Sequence, residues 1–201
     1  MAGRIALYGG TFDPPHNGHT AAIRAVLDAL APGALYWMPA RQAPHKGEAA
    51  AGAEHRLAMC RLAAAELGSR VTVSGHEMGS GVSGYTVDTL AWLSGREPDA
   101  ELWLVVGQDM LRSLGQWRDP ARLLGLCRVA ALCRAEGQGP DMDEAAERLR
   151  THYGAVVRRI EHEPVEISST QLRAMLGHGE GKDFLPGAVW NYIQENTLYR
   201  A

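Results

Sequence analysis

Gly9-Gly10-Thr11-Phe12-Asp13-Pro14-Pro15-His16-Asn17-Gly18-His19 lies between a short apolar run at residues 4–8 and residues 20–31, where Ile23, Val26, Leu27 and Leu30 recur at helical spacing. That order predicts a strand, a tight turn and a helix. The glycine pair ending the strand lets backbone come close to a ligand, because no Cβ blocks the approach and positive φ carries no steric penalty. Pro14 and Pro15 stiffen the loop. A helix starting near Gly18 directs N–H groups and the positive end of its dipole back at the loop, an environment that suits a phosphate. His16 and His19 are three apart and share a face if the first helical turn reaches back that far.

The glycine spacing is neither the dinucleotide pattern G-x-G-x-x-G nor the P-loop pattern G-x-x-x-x-G-K-[ST]. Two plainer readings stand beside the phosphate one. The first is a structural turn with two incidental histidines. The second is a metal pair, weakened because no Cys or third ligand lies nearby to complete a tetrahedral set.

Composition narrows the class. With 201 residues the chain can bury one substantial core, and 46% hydrophobic and 21% charged residues are ordinary for a globular protein. A formal net charge of -3 gives no electrostatic footprint for nucleic acid, so ligand phosphates have to be held by local groups. Cys60, Cys127 and Cys133 are odd in number and lack C-x-x-C spacing, against a disulfide framework or zinc site; the last two read as packed thiols. No apolar stretch is long enough for a membrane span and no signal-peptide pattern opens the chain, so the expectation is a cytoplasmic protein. The basic residues are almost all Arg, with Lys46 and Lys182 the lysines.

Further along, residues 35–38 read as a second strand, followed by a polar loop containing Pro44-His45-Lys46. Lys46 at a strand's carboxyl end can reach the same phosphates as the histidines, as a flexible point charge. Residues 53–67 form a helix whose apolar stripe leaves out Arg56, either a surface charge or the partner of a loop carboxylate. Residues 71–74 are a third strand, and 75–84 form a Gly/Ser-rich segment expected to be mobile. Thr86 reads as the N-cap of the next helix, with Asp88 in its first turn. Residues 102–106 have the pattern of a parallel strand covered on both faces. At its end, Asp109 is a helix N-cap, a nucleotide contact, or both, and Trp117 is a hydrophobic plug or a stacking surface for a heteroaromatic ring. Residues 122–126 and 143–153 read as helices, and 129–132 and 156–160 as strands. Then Ile167-Ser168-Ser169-Thr170-Gln171-Leu172-Arg173 opens a helix with hydroxyl caps and brings Arg173 to the same side one turn later. Lys182 reads as solvated, and the tail as a final helix with a packed end. Strands alternating with helices, without linker or repeat, predict a single doubly wound, Rossmann-like parallel-sheet α/β domain over residues 1–201, with a helical part at about 167–201 packed on it.

Taken in order, residues 9–19, Pro44-His45-Lys46, residues 85–90, 107–117, 167–173 and 184–199 resemble the bacterial nicotinate-nucleotide adenylyltransferases, a family of the nucleotidyltransferase superfamily. The resemblance implies transfer of AMP from ATP to nicotinate mononucleotide, giving deamido-NAD and pyrophosphate with Mg²⁺. It implies that His16, His19, Lys46 and Arg173 are the catalytic groups. Gly9, Gly10, Thr11, Phe12, Gly18, Gly107, Asp109, Ser168, Ser169 and Thr170 would line ATP. Tyr85, Thr86, Asp109 and Trp117 would meet the pyridine nucleotide, with Trp117 stacking on the ring and N–H groups near Tyr85 and Thr86 facing its carboxylate. Gly84 stands where the family often has Ser, with Ser83 one place earlier. The alternatives to this reading are an adenylyltransferase for nicotinamide mononucleotide or phosphopantetheine, and a non-catalytic nucleotide sensor on the same fold.

Overall fold

The computed structural model describes residues 3–41, 49–133, 139–163 and 165–200. In chain order the elements are β1 (Arg4–Gly10), α1 (Asn17–Leu30), β2 (Ala34–Pro39), α2 (Ala53–Ala64), β3 (Val71–Val73), α3 (Thr86–Arg96), β4 (Glu101–Gly107), α4 (Gln108–Ser113), α5 (Pro120–Leu126), β5 (Arg128–Cys133), α6 (Gly139–Tyr153), β6 (Val157–Glu161), α7 (Ser169–Gly177) and α8 (Gly187–Glu195), with single 3₁₀ turns at His76–Met78, Leu114–Gln116 and Lys182–Phe184. Six strands form one sheet in the order β3-β2-β1-β4-β5-β6. The pairs β1–β4, β4–β5 and β5–β6 are parallel. The order reverses direction at β1, the signature of a doubly wound sheet.

The sequence patterns account for the elements. Leu102, Trp103, Leu104, Val105 and Val106 of β4 are all buried, as a parallel strand covered on both faces requires. The first helix buries Ile23, Val26, Leu27 and Leu30, the stripe read from its spacing. β6 lies at the sheet edge. The helix predicted at 143–153 begins four residues earlier, at Gly139. The Gly/Ser-rich segment 75–84 contains the 3₁₀ turn at His76–Met78, with Glu77 buried. All three cysteines are buried and unbridged.

The chain divides into two compact units, described separately. One comprises Met1–Tyr8, Ala25–Tyr36 and Tyr85–Glu163, and the other Gly9–Arg24, Trp37–Gly84 and Pro164–Ala201. In the first, α3 packs on α5 and α4 on α6; in the second, α2 packs on β3 and α8. Among the described residues no helix is long and apolar enough to cross a membrane.

Candidate functional site

The loop after β1 belongs to the second unit, and its histidines are fixed by one another. His16 precedes the first residue of α1, and its carbonyl accepts from the His19 N–H at 2.8 Å and the Thr20 N–H at 3.3 Å. His16 Nδ1 accepts from the Gly18 N–H at 3.2 Å, and His19 Nδ1 accepts from the His16 N–H at 3.1 Å. This is the logic of a capping box carried out by two imidazoles. The rings lie 3.8 Å apart between centroids, sharing a face as the spacing predicted. A neutral imidazole has one N–H and one acceptor nitrogen. With Nδ1 accepting on both rings, the proton of each sits on Nε2, which becomes the donor.

This arrangement corrects one expectation. The N–H groups of Gly18 and His19 are satisfied within the chain, which leaves the imidazole Nε2–H groups rather than those amides as donors for a ligand. Burial sets the charge as well: His16 is only 7% exposed, and removal from water lowers its pKa to about 4. Near neutral pH it is an uncharged donor, not a cation.

Glycine is favoured at position 18 by proximity. A Cβ there would stand 3.0 Å from Cε1 and Nδ1 of His16, displacing the ring that caps the helix. Neither Gly9 nor Gly10 has positive φ; in this loop that conformation belongs to Phe12, at 51°. Gly10 matters through space instead, because a Cβ would meet the Phe12 ring at 2.8 Å. That ring is buried edge-on against His19 and Trp37, with centroids 4.9 and 5.4 Å away. The Thr11 hydroxyl oxygen is buried and has no hydrogen-bond partner among the described residues, a state that costs about 1–3 kcal/mol unless a ligand supplies the partner.

The Ser168 to Arg173 element falls in the same unit. Ser168 is the N-cap of α7: its hydroxyl accepts from the Gln171 N–H at 3.2 Å and donates to Gln171 Oε1 at 2.8 Å. Its one proton is thereby used, and its place here is that of a cap rather than of a donor. Ser169 is half-buried and Thr170 exposed. Arg173 reaches back to the first loop, donating from Nη1 to the Asp13 carbonyl at 2.8 Å and from Nη2 to Thr170 Oγ1 at 3.2 Å. Lys46 lies outside the described residues.

The residues read for the pyridine nucleotide fall in the first unit. Tyr85, not Thr86, is the N-cap of α3, with no side-chain cap bond, so Thr86 is the first helical residue. Gly107 likewise takes the N-cap position of α4, which leaves Asp109 exposed in the first turn. Trp117 is half-buried and its Nε1–H donates to Ser113 Oγ at 3.3 Å, while that hydroxyl donates to the Asp109 carbonyl at 3.2 Å. The indole edge is therefore held while part of the ring stays accessible, which disfavours the plug reading. Arg118 lies with its guanidinium 4.6 Å from the centre of the Tyr85 ring, bringing a cation to residues 85–86 and 117. Gly84 has φ of 73°, a left-handed conformation that disfavours the family's frequent Ser at that place.

A family model described as cytidylyltransferase-like matches residues 7–175. A protein of Laribacter hongkongensis named "Probable nicotinate-nucleotide adenylyltransferase" is 39% identical over 211 residues, covering 98% of this chain and 94% of the relative. A protein of the same name from Gemmatimonas aurantiaca is 38% identical over 200 residues, with 98% and 92% covered. The chain belongs to the cytidylyltransferase-like family, with the nicotinate-nucleotide adenylyltransferases. The fold of this family is equally plain in three dimensions: the Plasmodium falciparum nicotinic acid mononucleotide adenylyltransferase complexed with NaAD matches at a TM-score of 0.79 and 18% identity, over 98% of this chain and 97% of that one.

Within this family member, three residues organise the loop after β1: sequence reasoning gave Asp13 and Tyr199 no role and left Arg56 open between a surface charge and the partner of a loop carboxylate. Asp13 is 3% exposed and Arg56 is 1% exposed. Arg56 donates to four backbone carbonyls: Nε to Ala51 at 3.1 Å, Nη1 to Thr11 at 2.8 Å and Ala40 at 2.6 Å, and Nη2 to Arg41 at 2.7 Å. Its position off the apolar stripe of α2 was the signal, but a periodicity cannot tell a surface charge from a buried one. Tyr199 donates its hydroxyl to Asp13 Oδ1 at 2.7 Å, a contact separated by most of the chain and invisible to local patterns.

Proposed function

We infer that this chain transfers AMP from ATP to nicotinate mononucleotide, forming deamido-NAD and pyrophosphate. A phosphate oxygen of the mononucleotide attacks the α-phosphorus of ATP. The new P–O bond forms as the bond from that phosphorus to the α,β-bridging oxygen breaks, and pyrophosphate leaves with the electron pair. No protein nucleophile takes part. Such transfers are accelerated by positioning and by fixed donors facing the spreading charge.

The observation that carries this reading is the reciprocal pair of His16 and His19, whose Nδ1 atoms are both fixed by backbone N–H groups so that Nε2–H is the donor on each ring. A neutral, preorganised donor needs no reorganisation as charge develops on a phosphate. The orphaned Thr11 hydroxyl and the guanidinium of Arg173 support the same reading for the triphosphate. Among the described residues no group of three or more His, Cys, Asp or Glu is placed to hold a metal ion. In this proposal Mg²⁺ enters with the nucleotide, as phosphates commonly bring it, where it would neutralise triphosphate charge. For the acceptor, Trp117 offers an anchored aromatic face. Arg118 beside Tyr85 adds a cation that favours the carboxylate of nicotinate over a neutral amide.

The test is pyrophosphate release by purified protein given ATP and Mg²⁺ with nicotinate mononucleotide, nicotinamide mononucleotide or phosphopantetheine in parallel. Release with the first well above the other two is expected. Release with none, by folded protein that binds ATP, would replace the enzyme reading with that of a nucleotide sensor.

A further inference from the structure

Asp13 is the most heavily engaged side chain of the first loop. Its Oδ2 accepts from the Ala50 N–H at 2.7 Å, and its Oδ1 accepts from the Ala51 N–H at 3.1 Å and the Tyr199 O–H at 2.7 Å. Its own carbonyl receives Arg173 Nη1 at 2.8 Å, and the carboxylate stands 3.8 Å from the same nitrogen. The buried Arg56 guanidinium holds the carbonyls of Thr11 and Ala51 on the other side of this loop.

These contacts form a connected chain from the last turn of the protein to α7. Tyr199 fixes the Asp13 carboxylate, the carboxylate fixes the backbone of residue 13, and that backbone carbonyl aims Arg173. Two of the five N–H donors of Arg173 are used by Asp13 and Thr170, and the side chain remains 30% exposed. A fork anchored at one edge presents its other N–H groups in a fixed direction, which a bidentate grip on phosphate requires.

We propose that Asp13 and Tyr199 are positioning residues for Arg173, so that the hydroxyl of Tyr199 tunes the hold of the enzyme on the ATP triphosphate without touching it. The proposal rests on the reading of Arg173 as a phosphate ligand. Tyr199 is suited to the part because burial and the neighbouring Asp13 carboxylate raise its pKa, so it remains a donor throughout the physiological range.

The experiment is a double-mutant cycle on ATP affinity, read by calorimetry with ATP alone so that it does not depend on the acceptor. Tyr199→Phe removes one oxygen and keeps the ring. Its Kd for ATP is expected to rise by roughly three- to tenfold, the scale of a lost charge-assisted hydrogen bond acting through a neighbour. Arg173→Ala should raise Kd by more, and adding Tyr199→Phe to it should change nothing further. With both nucleotides present, Tyr199→Phe should raise the KM for ATP and leave that for the acceptor unchanged. An unaltered Kd in Tyr199→Phe, or effects that multiply in the double variant, would overturn the proposal. If Tyr199→Phe melts well below the wild-type protein, Asp13→Asn, which keeps one acceptor oxygen and loses the charge, reads the same cycle with the same two outcomes. Failure of the function itself has a different signature: the cycle holds for ATP while no acceptor yields pyrophosphate.

Discussion

At His19 the ring receives the His16 N–H on Nδ1 and packs edge-on to the buried ring of Phe12, so its Nε2–H is held rather than free to rotate. Replacing it by alanine removes one preorganised donor, and the expected result is a fall in kcat of about 10²-fold or more with circular dichroism and melting little changed. An unchanged kcat would remove His19 from the catalytic groups. Trp117 makes the contrasting case. Its indole N–H is tied to Ser113 and its half-buried face is what the acceptor reading uses. Trp117→Ala should raise the KM for the pyridine nucleotide by roughly 5- to 150-fold, the 1–3 kcal/mol of an aromatic stacking contact, with a smaller effect on the KM for ATP. Equal increases for both substrates would mark Trp117 as a packing residue.

The start of α1 is where an element and a site are the same object. Its cap is made by imidazoles, so changing the helix terminus changes the donors. Gly18→Ala separates the two contributions. Alanine favours a helix by about 0.8–1.0 kcal/mol over glycine, but its Cβ would press on the His16 ring at 3.0 Å. The expected variant keeps or nearly keeps its melting midpoint while kcat for pyrophosphate release drops by roughly tenfold, because misplacing a catalytic donor is costly well short of unfolding. Melting and turnover that fall together would show that the contact strains the helix as a whole. α7 works differently: Ser168 and Gln171 close an ordinary capping box, and the side chain that the proposed function uses is Arg173, one turn on.

For the whole molecule the buried His16 imposes a pH dependence on folding. Its pKa is lowered to about 4 in the folded chain against about 6.5 in an unfolded one. The unfolded state therefore binds the extra proton between those values. The contribution of His16 to stability is fully present above pH ~6.5 and is lost as pH falls towards ~4, amounting to on the order of 3 kcal/mol. His16→Asn, which can still cap a helix, should flatten the melting midpoint between those limits relative to the wild-type protein. Parallel curves would mean that His16 ionises freely in the folded state.

The sequence by itself determined the alternation of elements and the residues of the loop after β1. Apolar runs such as residues 102–106 and the stripe of α1 are local periodicities, and the G-G-T-F-D-P-P-H-N-G-H stretch carries its residue types and spacing in eleven consecutive positions. It could not determine which side of the helix terminus holds the donors. That depended on the two Nδ1 atoms accepting backbone N–H groups, which turned the expected free amides into a closed cap. It assigned capping to Thr86 from propensity, whereas the chain enters α3 through Tyr85 in an extended conformation. Above all it left Asp13 and Tyr199 without roles and the choice for Arg56 open, because their contacts join residues 45 to 186 positions apart in the cases of Arg56 to Thr11 and Tyr199 to Asp13. Local pattern reports which face of a helix is apolar. Only the folded chain decides which buried carbonyls an arginine must satisfy, since the desolvation that makes those bonds obligatory does not exist until the loops have closed around it.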